Sequence, residues 1–361
     1  MVKRIYSIII GSGSYIPALR IPNSEFLKNS FLDINGAPYD RNNQEIIQKF
    51  EEITGIRERR YAPDNMMASD MGAAAGEQAI EMAGIDRESL DYIITAHNFG
   101  DVRPDNHKVD LVPSLSSRIK HRLGIRNPSC IAYDLPFGCP GWLQGVIQSD
   151  YYLRSGDASR SLVIGTETLS RISDPHDRDS MIYADGAGAV ILEGREYDTP
   201  AGVLSHSSRT DTETQAFYLA MERSYKSGSD DTLYLKMDGR KLYSYALTHV
   251  PGLVKNSLDK AGVNLDQVSK VLIHQANEKM DEAILARLFK LYQNGHPPSD
   301  IMPMTINELG NTSVATVPTL YDLIRRGKMK GHHLNAGDII VFASVGAGMN
   351  INSLVYKVED A

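Results

Sequence analysis

The sequence predicts a layered α/β protein built from two similar halves. Helical patterns alternate with short β-branched strands along the whole chain, and that alternation occurs twice in similar form. The composition supports a packed body, since 42% apolar and 23% charged residues over 361 positions exclude intrinsic disorder and suit two domain-sized units. A net charge of −7 argues against a nucleic-acid or anionic-membrane surface. Two cysteines make no disulfide framework. The first apolar run, 5–10, is too short for a signal-peptide core. No stretch approaches ~18 apolar residues, so a cytoplasmic protein without a membrane span is expected.

Taken in order, 5–10 reads as a strand, and Gly11-Ser12-Gly13 as the turn that ends it. A phosphate-binding GxGxxG does not fit, because Ile16 stands where the third glycine belongs. Residues 79–83 read as a helix stopped by Gly84, followed by a strand over 89–94; the same pattern recurs at 257–261, Gly262 and 267–272. Residues 99–110 are polar and turn-rich, the mark of a long loop of the kind that often carries function. A strand over 129–133, with Cys130 inside it, leads to a tight turn at 134–138 and an amphipathic helix over 142–154. Helix, glycine and strand follow at Gly156 and 162–164, and again at Gly327 and 339–341. The boundary between the halves falls near 193–202, giving units 1–195 and 196–361. A further polar break spans 227–232.

Cys139 is the first candidate for chemistry. It precedes Pro140 at the mouth of a helix, where the positive end of the dipole lowers a thiol pKa. A buried structural cysteine is the alternative, and it is the reading for Cys130. His274 ends the strand 270–273, where α/β folds place their sites, although a lone histidine is more often structural. Asn311, in Gly310-Asn311-Thr312-Ser313, alone reads as a helix cap. The other histidines lack ligand spacing, so no metal site is expected. The repeat brings Cys139, His274 and Asn311 towards one face, and a Cys–His–Asn set suits acyl transfer through a thioester.

Beyond these residues, Thr54-Gly-Ile-Arg-Glu-Arg59, Asp174-Pro-His-Asp-Arg178, Asp185-Gly-Ala-Gly-Ala189, His274-Gln-Ala-Asn277, Gly310-Asn-Thr-Ser313 and Gly346-Ala-Gly348 run through nearly the whole chain. With them the sequence resembles the β-ketoacyl-acyl carrier protein synthase III family, condensing enzymes of the thiolase superfamily. The resemblance implies a thiolase-like fold: two pseudo-twofold-related α/β halves in αβαβα layers. It implies that Cys139 takes the starter acyl group. His274 and Asn311 then hold the carbonyl oxygen of a malonyl- or 3-oxoacyl-type thioester, and the backbone N–H groups of Cys139 and Ala347 form the oxyanion hole. It places Arg178 and Lys279 at a basic mouth and Val112 at the gate of the acyl pocket; Phe137, a candidate substrate contact before the nucleophile, stands where the family has a small residue. It further implies a homodimer in which the run 185–189 suits close packing. Acyl-coenzyme A and acyl carrier protein thioesters are then substrates, with the carrier protein as partner and no resident cofactor.

Departures from the family pattern touch the substrate rather than the chemistry. Lys49 and Ile53 stand where a Trp and an Arg commonly grip adenine, and 99–110 reads as an insertion before the gate. Carrier-bound starters are therefore expected to load better than coenzyme A thioesters. The cationic runs Arg325-Arg326-Gly-Lys328-Met-Lys330 and Lys279, Arg287, Lys290 are candidate docking surfaces for an acidic carrier. Fatty-acid initiation, a specialised pathway such as the joining of two acyl chains into an alkylresorcinol, and plain acyl transfer or thioester hydrolysis stay open at this point. A catalytically silent scaffold is disfavoured by retention of all three residues.

Overall fold

The computed structural model describes residues 4–229, 231–293 and 295–360. Asp230, in the polar break, and the first three residues lie outside the described residues. The first half runs β1 (Arg4–Tyr15), β2 (Leu19–Pro22), α1 (Asn43–Thr54), β3 (Glu58–Tyr61), α2 (Ala68–Ala83) and β4 (Tyr92–His97). A short hairpin follows, β5 (Asp101–Val102) and β6 (Val109–Asp110), then α3 (Leu115–Arg122), β7 (Ile131–Pro136), α4 (Gly141–Ser155), β8 (Arg160–Thr168) and β9 (Asp185–Tyr197). The second half begins with β10 (Gly202–Thr210), the hairpin β11 (Leu219–Arg223) and β12 (Leu233–Met237), and α5 (Gly239–Ala261). It ends with β13 (Val268–Ile273), α6 (Glu278–Leu291), α7 (Ile306–Leu309), α8 (Thr316–Arg325), β14 (Ile339–Gly346) and β15 (Asn350–Lys357).

Two sheets divide the chain between Tyr197 and Gly202. The first has strand order β1-β9-β8-β4-β7 and the second β10-β15-β14-β13. Their pairings repeat: β1 with β9 and β9 with β8 are antiparallel and β8 with β4 parallel, as are β10 with β15, β15 with β14 and β14 with β13. Helices α4 and α8 lie between the sheets, where Trp142, Leu320 and Phe342 share one core. Helix α2 covers the outer face of the first sheet through Met71, Ala75 and Ala79; α5 and α6 cover the second through Val250, Leu258 and Ile284. The result is the αβαβα layering of the thiolase-like fold. The helix stops fall where glycine suggests them, with Gly84 and Gly262 in left-handed conformation at φ +63° and +67°.

Local readings change where packing overrides chain chemistry. Gly11-Ser12-Gly13 does not end the strand; β1 continues through it to Tyr15. The glycines are there because α2 crosses at backbone distance: a Cβ on Gly11 would lie 2.3 Å from the Ala79 carbonyl oxygen, and one on Gly13 2.2 Å from that of Ala75. Cys130 is buried in the bend just before β7, not inside a strand, and β7 itself extends through Pro136 into the segment read as a turn. The run 185–189 lies in the fully buried part of β9, with Gly188 against the Thr319 backbone, so it serves packing within the chain and offers no surface to a second copy.

Gly11→Ala should cost about 1–3 kcal/mol, the scale for overpacking a filled interior. Gly252, inside α5 with nothing within 4 Å of its Cβ position, should gain about 0.5–1 kcal/mol as Ala. Urea unfolding of the two variants checks both signs.

Candidate active site

The nucleophile candidate sits on a turn that only glycine permits. β7 ends at Pro136, Gly138 reverses the chain at φ +73°, and α4 starts at Gly141 with Pro140 before it. A Cβ on Gly138 would lie 2.9 Å from Ala347 N, and one on Gly346 would lie 2.6 Å from Cys139 N. The Cys139 turn and the Gly-rich end of β14 thus meet backbone to backbone.

His274 leaves β13 with its N–H donating to the Ala343 carbonyl oxygen at 2.9 Å. Buried Gln275 fixes the next step: its amide donates to the Pro303 carbonyl at 2.8 Å and its oxygen accepts from Thr305 N and Ile306 N at 2.8 and 3.1 Å. Asn277 then caps α6, accepting from Met280 N at 3.0 Å. Asn311 is held by the first half, its N–H donating to the Ile182 carbonyl and its carbonyl accepting from Ala184 N, both at 2.9 Å. Its side-chain oxygen accepts from Ser313 N at 2.8 Å, which leaves the NH2 group as its donor.

Cys139, His274, Asn311 and Ala347 line one chamber of about 50 Å³, which adjoins a mouth of about 750 Å³ through shared walls at Met237, Ala276, Met280 and Asn311. Burial governs the charge states here. It pushes the Cys139 thiol up to about 11, against a lowering hydrogen bond from Ser313, so the dipole-lowered pKa expected from the sequence does not hold. Burial also pushes His274 down to about 4, against a smaller raising contribution from the Ser313 backbone, and its Nδ1 has no partner among the described residues. At neutral pH the pair is thiol and imidazole.

A buried polar chain that the sequence reading did not assign stands behind the thiol. Ser313 Oγ donates to Cys139 Sγ at 3.2 Å and accepts from Asn98 Nδ2 at 3.0 Å. Asn98 N and Nδ2 both donate to Glu167 Oε1, the former at 2.6 Å. Burial pushes Glu167 up to about 7, with the bonds from Asn98 opposing. His97 Nδ1 accepts from Gly100 N at 3.0 Å, which assigns the Nε2 proton to the 3.0 Å bond with Asp134. Ser313 was visible in its motif and Glu167 as a carboxylate closing an apolar run. Asn98 carried no signal.

The outer residues divide. Arg178, Lys49 and Ile53 line the mouth, with Arg41 and Arg240. Lys49 pairs with Glu52 at 3.1 Å. Lys279 is exposed in the first turn of α6, where its charge acts on Glu52, the partner of Lys49. Val112 is 85% exposed and lines no chamber within its own chain; nearby Arg118 ties Asp101 and Asp110 together at 2.9 and 2.6 Å. Phe137 packs beside Gly141 and does not line the chamber, whereas Phe99, at the start of the insertion, does. The mouth also holds a flat aromatic surface that the sequence reading lacked, because Arg178 stacks over Tyr39 at 4.9 Å. Of the cationic runs, Arg326 is tied to Asp322 at 2.7 Å and Arg287 to the Leu247 carbonyl at 3.0 Å. Among the described residues no group of three or more His, Cys, Asp or Glu is gathered as a metal site.

Residues 133–212 match the family described as 3-oxoacyl-[acyl-carrier-protein (ACP)] synthase III, and residues 258–358 its C-terminal part. A β-ketoacyl-[acyl-carrier-protein] synthase III of Erythrobacter litoralis is 33% identical over 347 residues, covering 95% of this chain and 97% of the relative. The chain belongs to the synthase III family. Among solved structures, the synthase III of Aquifex aeolicus superposes with a TM-score of 0.77 at 27% identity, covering 99% of this chain and 100% of that one. The priming β-ketosynthase of the R1128 polyketide pathway gives 0.81 at 26%, covering 100% and 98%. The synthase III fold thus accounts for the whole chain, including the segments of each half outside the two matched regions. No helix among the described residues is long and apolar enough to cross a membrane.

Alkylation of this synthase III chain by iodoacetamide at Cys139 should rise about tenfold per pH unit from 7 to 10 with no plateau, as a thiol near 11 requires. Ser313→Ala removes the donor that favours the thiolate and should slow alkylation further at each pH. Peptide mass spectrometry reads both; a plateau near pH 8 would contradict the burial argument.

Proposed function

We propose that the chain is a decarboxylating condensing enzyme: it joins an acyl group carried on Cys139 to a malonyl- or 3-oxoacyl-type thioester on acyl carrier protein and releases a β-ketoacyl product. The observation that carries this is the convergence of Cys139, His274, Asn311 and the Ala347 backbone on one small chamber behind a wide, cationic mouth. The mouth suits the phosphate of a pantetheine arm, with Arg41, Lys49, Arg178 and Arg240 set against Asp40 and Asp179. The Tyr39–Arg178 stack offers coenzyme A's adenine a flat surface that Lys49 and Ile53 do not, so both carriers are proposed as acyl donors.

In the first half-reaction the Cys139 sulfur attacks the donor carbonyl, the bond to the carrier sulfur breaks, and the thiol proton leaves with the carrier thiol. The resting thiol is then deprotonated only as the bond forms, with Ser313 Oγ–H donating to the sulfur as charge builds. The oxyanion is held by the N–H groups of Cys139 and Ala347. In the second half-reaction the malonyl-type thioester places its carbonyl oxygen between His274 and the Asn311 NH2 group. Carbon dioxide leaves with its electron pair retained on the α-carbon as an enolate, and these donors stabilise the developing charge. A neutral His274 serves here, because a buried imidazole remains a hydrogen-bond donor without carrying charge. The enolate carbon attacks the acyl-Cys139 carbonyl, the carbon–sulfur bond to Cys139 breaks, and the departing thiolate takes a proton from water. A transferase or hydrolase without condensation would have little use for an Asn311 whose position takes two backbone bonds to the other half.

Asn311→Ala should still form acyl-enzyme, seen as one acyl mass on the Cys139 peptide, but lose malonyl decarboxylation by roughly 10²–10³-fold. Unchanged carbon dioxide release would sink the assignment. We also propose a cytoplasmic homodimer. β7 lies at the edge of the first sheet with Ile131 50% exposed, an open strand of the kind that pairs with a second copy. Sedimentation should give twice the 39.9 kDa chain mass; a stable active monomer at micromolar concentration would refute it.

A further inference from the structure

Glu167 is a buried carboxyl that the proposed chemistry does not touch. It is 1% exposed near the end of β8 and is no wall of the chamber. A carboxylate this close to the nucleophile works against it, since its charge pushes the Cys139 thiol up. The titratable groups nearest to it are engaged elsewhere. His97 is taken up by Gly100 N and Asp134, and Asp185 accepts from Ala62 N, Ser170 N and Ser170 Oγ. Among the described residues only Asn98 bonds the Glu167 carboxyl. Burying such a group is costly, so the use of Glu167 lies in those bonds.

They settle which way the next two side chains point. Oε1 accepts the Asn98 backbone N–H at 2.6 Å, so the atom of the Asn98 amide beside it is the donor Nδ2; its oxygen there would face an acceptor. The same NH2 group reaches Ser313 Oγ at 3.0 Å and offers the serine proton no acceptor, which leaves that proton for Cys139 Sγ at 3.2 Å. Tyr183, whose buried hydroxyl has no partner among the described residues, does not compete for it. Ser313 is itself held at φ +51°, a left-handed conformation that is costly for a residue with a Cβ. That conformation also delivers the Ser313 N–H to Asn311 Oδ1 at 2.8 Å. One serine thus serves the sulfur with its side chain and Asn311 with its backbone.

Resting on the condensing-enzyme reading, we propose that Glu167 is a positioning residue: by fixing the Asn98 amide it keeps the Ser313 hydroxyl proton on Cys139 Sγ, both when the sulfur attacks the donor thioester and when it departs from the condensed product. Without the Glu167 acceptor the Asn98 amide is free to flip. Its oxygen would then face Ser313 Oγ and draw the hydroxyl proton away from the sulfur. In both steps Ser313 stabilises the sulfur's negative charge through a hydrogen bond and retains its own proton. No bond is made or broken at Glu167 or Asn98.

The test compares Glu167→Gln with Glu167→Leu in the full chain, each with Ser313 present and with Ser313→Ala. Both remove the charge, and they differ in the acceptor, because the Asn98 backbone N–H selects the oxygen of a Gln amide. Iodoacetamide alkylation of Cys139, read by peptide mass at fixed pH, should be roughly tenfold faster in Glu167→Gln than in Glu167→Leu, the scale of one hydrogen bond to a charged group. With Ser313→Ala the two should alkylate at the same rate. Equal rates with Ser313 present would overturn the proposal. So would a difference that persists with Ser313→Ala, since Glu167 would then act through packing and not through the hydroxyl. If Glu167→Leu does not fold, Asn98→Ala made on Glu167→Gln takes its place, with no change of charge and the same two comparisons deciding. Single-turnover loading by acetyl-coenzyme A should follow the alkylation order. Absence of loading by the wild type would overturn the condensing reading, whereas the alkylation order alone decides the role of Glu167.

Discussion

The site depends on how closely two backbones can approach. The turn bearing Cys139 and the end of β14 meet with no side chain between them, because Gly138 and Gly346 have none to interpose. The same holds further along the seam: a Cβ on Gly165, in β8, would lie 2.2 Å from the Val314 carbonyl oxygen, so the segment carrying Asn311 and Ser313 can rest on the first sheet. A methyl group at these points would separate the halves by more than a hydrogen bond can span. Asn311, bonded by its backbone to Ile182 and Ala184, would move with them.

Once the halves are in contact, desolvation sets the chemistry. Burial in the chamber raises the thiol and lowers the imidazole, so the resting pair carries no charge. The N-terminus of α4 and the Ser313 donor favour the thiolate, but burial outweighs them. The Glu167–Asn98–Ser313 chain gives direction: with its oxygen occupied by Asn98, the Ser313 hydroxyl has Cys139 Sγ as the target of its proton.

The mouth and the chamber wall share one anchor. Lys236, 4% exposed on β12, bonds Asp174 at 2.6 Å and Asp177 at 3.2 Å and lies 3.4 Å from the Tyr225 ring centroid. Its neighbours Leu235 and Met237 project to the opposite face of the strand, into the chamber. Burial would raise the Asp174 carboxyl, but the bonds from Lys236, His176 and Tyr225 outweigh it and hold it below its usual range. A buried ion pair adds little net stability, yet it fixes register. Here it fixes the hairpin over Cys139 and the turn that presents Arg178 to the mouth.

The sequence by itself determined the fold class and the repeat and singled out Cys139, His274 and Asn311 as candidates, because these rest on local signals: glycine stops at Gly84 and Gly262, a proline-led helix after Cys139, and motifs whose residues are neighbours in the chain. It also located Arg178, Lys49 and Ile53 at the mouth. It misread Gly11-Ser12-Gly13, since a glycine that admits a crossing helix and one that turns the chain look alike until the helix is in place. It did not show which way Lys279, Val112 and Phe137 face, because a side chain's outlook is set by the elements packed around it. Only the tertiary structure decided the charge states of Cys139 and His274, the joining of Asn98 and Glu167 to Ser313, and the isolation of the Tyr183 hydroxyl. Each of these depends on groups far apart in sequence being brought together away from water, where an unpaired polar atom and a charge both become costly.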